Sequence, residues 1–226
     1  MVSAFLSGPD HDRVSAAVST AEAHTAGEIV TILTERSDGY WDVALAWAAA
    51  VAGLALSVYA LMPDFYLGLI DRVTGAWARE WSIREVLWLA SIGATLKFLG
   101  MLALQLWQPL RFWLVPPPIK SDRVRNRAVT CFKVGAERRT HGRTGILIYL
   151  SMREHRAEIV ADQAIAAKVA PEVWGEAMAA MLAEIKRGRV AEGMIAAVER
   201  VGVVLAEHFP RAENDVNELP DRLIEV

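Results

Sequence analysis

Hydrophobic and polar positions divide the 226-residue chain into a long apolar middle and two amphipathic flanks. Residues 43–62 read VALAWAAAVAGLALSVYALM without a charge, and residues 86–107 form a second apolar run broken only by Lys97. About 20 apolar residues rising 1.5 Å each cover a hydrocarbon layer of about 30 Å. Each run therefore predicts a membrane-crossing helix, and the pair predicts a transmembrane hairpin. Between them, Tyr66, Ile70, Val73, Trp77 and Trp81 recur at helical steps, with Asp71, Arg72, Arg79, Glu80, Arg84 and Glu85 among and beyond them. That stripe predicts a helix lying flat in the membrane interface.

The flanks read as the two parts of one small domain. Ser7 or Asp10 caps a helix carrying Val14, Ala17, Val18 and Ala21, which Gly27 closes before the β-branched run EIVTILT at 28–34. After the hairpin, the prolines at 116–118 predict a stiff exit. Ser121 then caps a basic helix reaching about Arg139, with Val124, Ala128, Cys131 and Phe132 as its apolar face. GILIYLS at 145–151 is apolar almost throughout, as in a strand buried on both faces. MREH is a short turn, so RAEIVAD at 156–162 returns antiparallel. Two helices follow, from Pro171 and from about Val190, separated at Gly188, and the polar tail closes with Leu223 and Ile224 docking back. A lone strand is unstable, so 28–34 must pair with 145–151. The predicted class is α/β: a three- to four-stranded mixed sheet sandwiched by helices and interrupted by the hairpin. The corresponding division is 1–38, 39–115, 116–210 and a tail at 211–226.

Composition sharpens this picture. The apolar share is 54%, above that of an ordinary soluble chain, and every tryptophan except Trp174 lies between residues 41 and 113, as an interfacial aromatic belt requires. A net charge of −3 argues against nucleic acid as a partner. The single cysteine, Cys131, excludes an intrachain disulfide. The opening MVSAFLSGPDHDRVS lacks an apolar run of signal-peptide length. Arg36, Arg111, Lys120, Arg123, Arg125 and Arg127 flank the outer ends of the spans, against Arg72, Arg79 and Arg84 between them. The positive-inside rule then puts both termini and the domain in the cytoplasm, anchored in the inner membrane. The expected partners are the lipid bilayer and other membrane proteins or further copies of the chain.

Catalytic patterns are sparse. GxSxG, HExxH, P-loop, dinucleotide and zinc spacings are all missing, and the five histidines are scattered. Lys97 sits mid-span. It is read either as an interface-seeking stem or subunit contact, or as part of an ion or proton pathway. Arg138, Arg139, His141 and Arg143 around Gly142 suit a phosphate or lipid headgroup, with a solvated loop as the simpler alternative. Asp162 at a strand end is read as a helix cap or a metal or acid/base group.

The run EIVTILT, the segment FKVGAERRTHGRTGILIYLSMREHRAEIVAD and the paired helices after it resemble the TPM domain. That family includes thylakoid-lumen proteins proposed as acid phosphatases, photosystem II repair proteins and an auxiliary protein of acetylcholine receptors. The resemblance implies an α/β domain, a calcium site as the one cofactor to consider, and phosphatase chemistry as the alternative to a membrane-anchored interaction module. Two departures stand out. Where familiar members carry two aspartates before an arginine, this chain has Met152-Arg153-Glu154-His155. Where they carry a Gly-aromatic-Gly-Leu-Glu pattern, it has Asp162-Gln163-Ala164-Ile165-Ala166. The carboxylates left for a metal are Glu154 and Asp162.

Overall fold

A computed structural model describes residues 5–75, 80–135, 144–211, 219 and 221–226. The chain divides into two compact units, Met1–Asp38 with Pro117–Val226 and, inserted between these parts, Gly39–Pro116.

The first unit is built on a four-stranded sheet of order β3-β2-β1-β4. β1 (Glu28–Thr34) and β2 (Gly145–Ser151) run parallel in the register Glu28↔Gly145 to Thr34↔Ser151, the pairing expected across the hairpin. β3 (Arg156–Ala161) returns antiparallel to β2. The tail forms β4 (Leu223–Glu225), parallel to β1, so the expected docking is a strand pairing.

Side chains alternate across the pleat. Ile29, Leu33, Ile146, Ile148 and Leu150 share a core with Val14 and Val18 of α1 (Gly8–Glu22), Met181 of α8 (Pro171–Ile185) and Met194, Val198, Val201 and Leu205 of α9 (Val190–His208). On the other face, Val30, Ile32, Leu147 and Tyr149 pack with Val124, Ala128 and Phe132 of α6 (Pro117–Gly135). Helices thus cover both faces of a sheet whose two central strands are buried throughout.

Local chemistry explains the helix ends, with one correction. Ser7 caps α1, its hydroxyl accepting from the Asp10 amide at 3.3 Å. Ser121, expected as the cap of α6, is inside that helix and donates to the Pro117 carbonyl at 3.2 Å. Pro117 and Pro118 form the first turn instead. A first-turn amide has no intrahelical partner, and proline's fixed φ already suits the helix.

In the second unit, α2 (Trp41–Leu61) and α4 (Ile83–Leu104) pack as a hairpin. Small residues let them approach: Ala44, Ala48 and Ala94 are buried, and Tyr59 lies so close to Gly93 that a Cβ there would stand 2.9 Å from its ring. Ser82 and Glu85 form a capping box that starts α4. At the open end, buried Gln105 donates to the Ala44 carbonyl at 3.1 Å. Buried Arg111, on α5 (Gln108–Leu114), donates to the Gln105 carbonyl at 2.9 Å and stacks 3.9 Å over Trp41.

The helix between α2 and α4 is shorter than the stripe suggested. α3 (Pro63–Thr74) stops at Gly75, whose φ of 69° is left-handed. Trp77 lies outside the described residues. Trp81 belongs to the approach to α4, and its indole N–H reaches Asp71 Oδ2 at 3.4 Å. Glycine's conformational freedom ended a pattern that periodicity alone would have continued.

Candidate functional site

Polar side chains gather at the two ends of the sheet. At the end where β1 and β2 finish, Glu154 is 5% exposed and sits in the turn before β3. One carboxylate oxygen accepts from the Ser37 amide at 2.9 Å and the other accepts from the Ser151 hydroxyl. Ser37 Oγ lies 3.0 Å from the Tyr149 hydroxyl, and burial raises the Tyr149 pKa. On the surface beside them, Arg153 pairs with Glu35 at 2.7 Å and Arg123 of α6 with Asp38 at 3.3 Å. The turn takes this shape because His155 adopts a left-handed φ of 51° and its amide closes on the Met152 carbonyl. Glu154 therefore clamps the β2–β3 turn to the segment leaving β1.

At the opposite end, Glu22 closes α1 beside the start of β1. Its Oε1 accepts from the Ile29 amide at 2.7 Å. Burial, with added charge from Asp221 and Glu28, pushes its pKa up to about 9 despite that hydrogen bond. Glu28 Oε2 in turn accepts from the Leu219 amide at 3.2 Å. Glu22 thus sits protonated at neutral pH between the first helix and the C-terminal tail. Sequence reading missed it, because a glutamate in the last turn of a polar-faced helix carries no local signal of burial.

The two carboxylates considered for a metal do not share a site. Glu154 precedes β3 and Asp162 follows it, which at about 3.4 Å per residue separates them by roughly 20 Å. Asp162 is buried at the N-cap position of α7 (Gln163–Ala166), but its side chain makes no cap hydrogen bond; its amide donates to the Gly145 carbonyl at 2.9 Å. Among the described residues, no three His, Cys, Asp or Glu side chains converge as a metal site. Arg139, His141 and Arg143 lie outside the described residues. Lys97 is exposed on α4.

The β3-β2-β1 sheet with helices on both faces now has a counterpart. The family model of the TPM domain matches residues 117–204. Residues 117–204 thus carry the TPM signature. No curated protein matches its sequence. Among solved structures, the NMR structure of BA42 protein from the psychrophilic bacterium Bizionia argentinensis is similar, with a TM-score of 0.58 and 17% identity, covering 100% of this chain and 99% of that one. At that identity the likeness is one of fold. Within the TPM domain, the matched stretch runs from α6 to α9 and includes both Glu154 and Asp162.

Proposed function

We propose that the protein is a membrane-anchored TPM interaction module, acting on or with other membrane proteins in their assembly or quality control. The observation that carries this reading is the outward face of the hairpin. Only 17% and 6% of the most apolar windows of α2 and α4 are buried. Leu54, Leu56, Leu87, Ile92, Leu96 and Leu99 stand exposed along their length. Trp41, Trp47, Trp107 and Trp113 are exposed at the open end, with Phe65 and Trp88 toward the other. A soluble domain rarely exposes so continuous an apolar surface, and aromatic rings at both ends of an apolar band suit the headgroup layers. The basic residues outside the spans favour an inner-membrane hairpin with both termini in the cytoplasm.

Cysteine labelling tests the orientation. A cysteine added at the C-terminus in a Cys131→Ala background is expected to resist membrane-impermeant maleimide in intact cells and to react after permeabilisation. Labelling of intact cells would reverse the orientation.

The alternative reading, a metal-dependent phosphatase, needs convergent charge around a transferred phosphoryl group. The separation of Glu154 from Asp162 disfavours it. Purified protein is expected to hydrolyse a generic phosphate ester with calcium, magnesium or manganese no faster than the Glu154→Ala/Asp162→Ala double variant. Turnover well above that variant would replace the interaction module with an enzyme.

A further inference from the structure

We propose that the flank of α6 bearing Lys120, Arg123 and Arg127 binds the headgroups of anionic phospholipids in the membrane that holds the hairpin; this rests on the membrane reading above. α6 carries five basic residues, Lys120, Arg123, Arg125, Arg127 and Lys133, against Asp122 alone. Val124, Ala128 and Phe132 turn inward onto the sheet. Steps of three and four residues put Lys120, Arg123 and Arg127 in one row beside that buried stripe. Lys120 is half-buried and Arg127 is exposed, while the half-buried Arg123 is held by Asp38. Arg125 falls on the opposite flank, where with Arg156 it bears on Glu158.

The position of this row in the chain identifies its ligand. Pro117, the first residue of α6, directly follows the last residue of the hairpin unit. At 1.5 Å per residue, Lys120 lies about 5 Å and Arg127 about 15 Å along the helix from that junction. The other passage of the chain meets the same helix, because Asp38, the last residue before the hairpin, pairs with Arg123 at 3.3 Å. Both crossings of the chain thus leave the domain beside this basic row. A charge near an anionic bilayer surface gains about fivefold in affinity per lysine or arginine, and the attraction fades over about 8–10 Å in physiological salt. Asp38 stands three residues before α2 begins at Trp41, at most about 10 Å of extended chain, so the headgroup layer is the anionic surface nearest this helix. The net charge of −3 on the whole chain speaks against a polyanion such as RNA as the general partner.

The test uses the full chain in nanodiscs of equal phosphatidylcholine and phosphatidylglycerol, with the lipids retained on the protein counted by native mass spectrometry. The parent protein is expected to retain phosphatidylglycerol over phosphatidylcholine at about five to one, against one to one in the bilayer. A Lys120→Gln/Arg127→Gln variant should fall back to the bilayer ratio, while Lys120→Arg/Arg127→Lys keeps the enrichment and shows that charge, not fold, is being read. An Arg187→Gln/Arg200→Gln control, far along the chain from the crossings, should also keep it. Failure of the parent to enter the discs would sink the membrane reading together with the proposal. Stable insertion without phosphatidylglycerol enrichment would overturn the proposal alone. So would enrichment that survives the double glutamine change, or co-purifying RNA that this change removes while leaving the lipid ratio unaltered.

Discussion

Gly202→Leu is expected to destabilise the TPM domain by roughly 3 kcal/mol, broadening or abolishing its cooperative melting transition in detergent. Gly202 lies buried in α9 where that helix crosses α1. A Cβ there would stand 2.7 Å from Ala21 Cβ and 3.4 Å from Ala21 Cα. Neither atom belongs to a flexible side-chain end, so the helices themselves must separate. They cannot do so alone, since Val198, Val201 and Leu205 of α9 share one core with Val14 and Val18. Leucine would gain roughly 1 kcal/mol of helix propensity over glycine, which is less than the overpacking cost. Gly175 in α8 provides the contrast. It is exposed, and a Cβ there meets nothing within 4 Å. Gly175→Ala should therefore stabilise by about 0.5–1 kcal/mol. Denaturant or thermal melts of the two variants beside the parent decide the matter, and a Gly202→Leu protein that melts like the parent would refute the close crossing.

Glu22→Gln should raise stability above about pH 5, with a margin that widens toward pH 9 and reaches the order of 2–4 kcal/mol at pH 8. The carboxyl of Glu22 is held at about 9 in the folded chain against an ordinary 4.5, first by burial and then by Asp221 and Glu28. The folded state thus holds this proton more tightly than the unfolded state does. The stability it contributes is complete below pH 4.5, declines as pH rises through the window from 4.5 to 9, and is gone above it. Glutamine is always neutral, keeps an oxygen for the Ile29 amide, and adds an N–H donor facing the Asp221 side. The parent's melting temperature should therefore fall between pH 5 and 9 more steeply than the variant's. Parallel curves over that window would show that Glu22 ionises normally.

Much of this architecture is legible in the sequence because it rests on periodicity. The β-branched run at 28–34 and the apolar run at 145–151 pair because an isolated strand cannot survive, and the structure joins them residue for residue. The two apolar helices follow from length and composition, to within three residues at each end. Features set by single residues were harder to read. Gly75 stops α3 inside a continuing apolar stripe, and Pro117 opens α6 four residues before the serine that resembled its cap. The three-residue β4 was visible only as two apolar residues in a polar tail. Site chemistry was least legible, because it depends on contacts between distant segments. Glu154 was recognised as the acidic remnant of a family motif, yet only the fold reveals that Ser37, 117 residues away in the chain, occupies one of its oxygens. Glu22 became notable only once the tail had folded over it.

The strand order also dictates a schedule for biosynthesis. β1 lies between β2 and β4, so the first of these four strands to leave the ribosome has neighbours that are made only at residues 145–151 and 223–225. At roughly 5–20 residues per second, β1 waits on the order of ten seconds for its first partner. Both apolar helices emerge during that interval. On the membrane-anchored reading proposed above, insertion of the hairpin precedes closure of the domain, and the N-terminal segment stays open until residues 223–225 arrive to cover its edge.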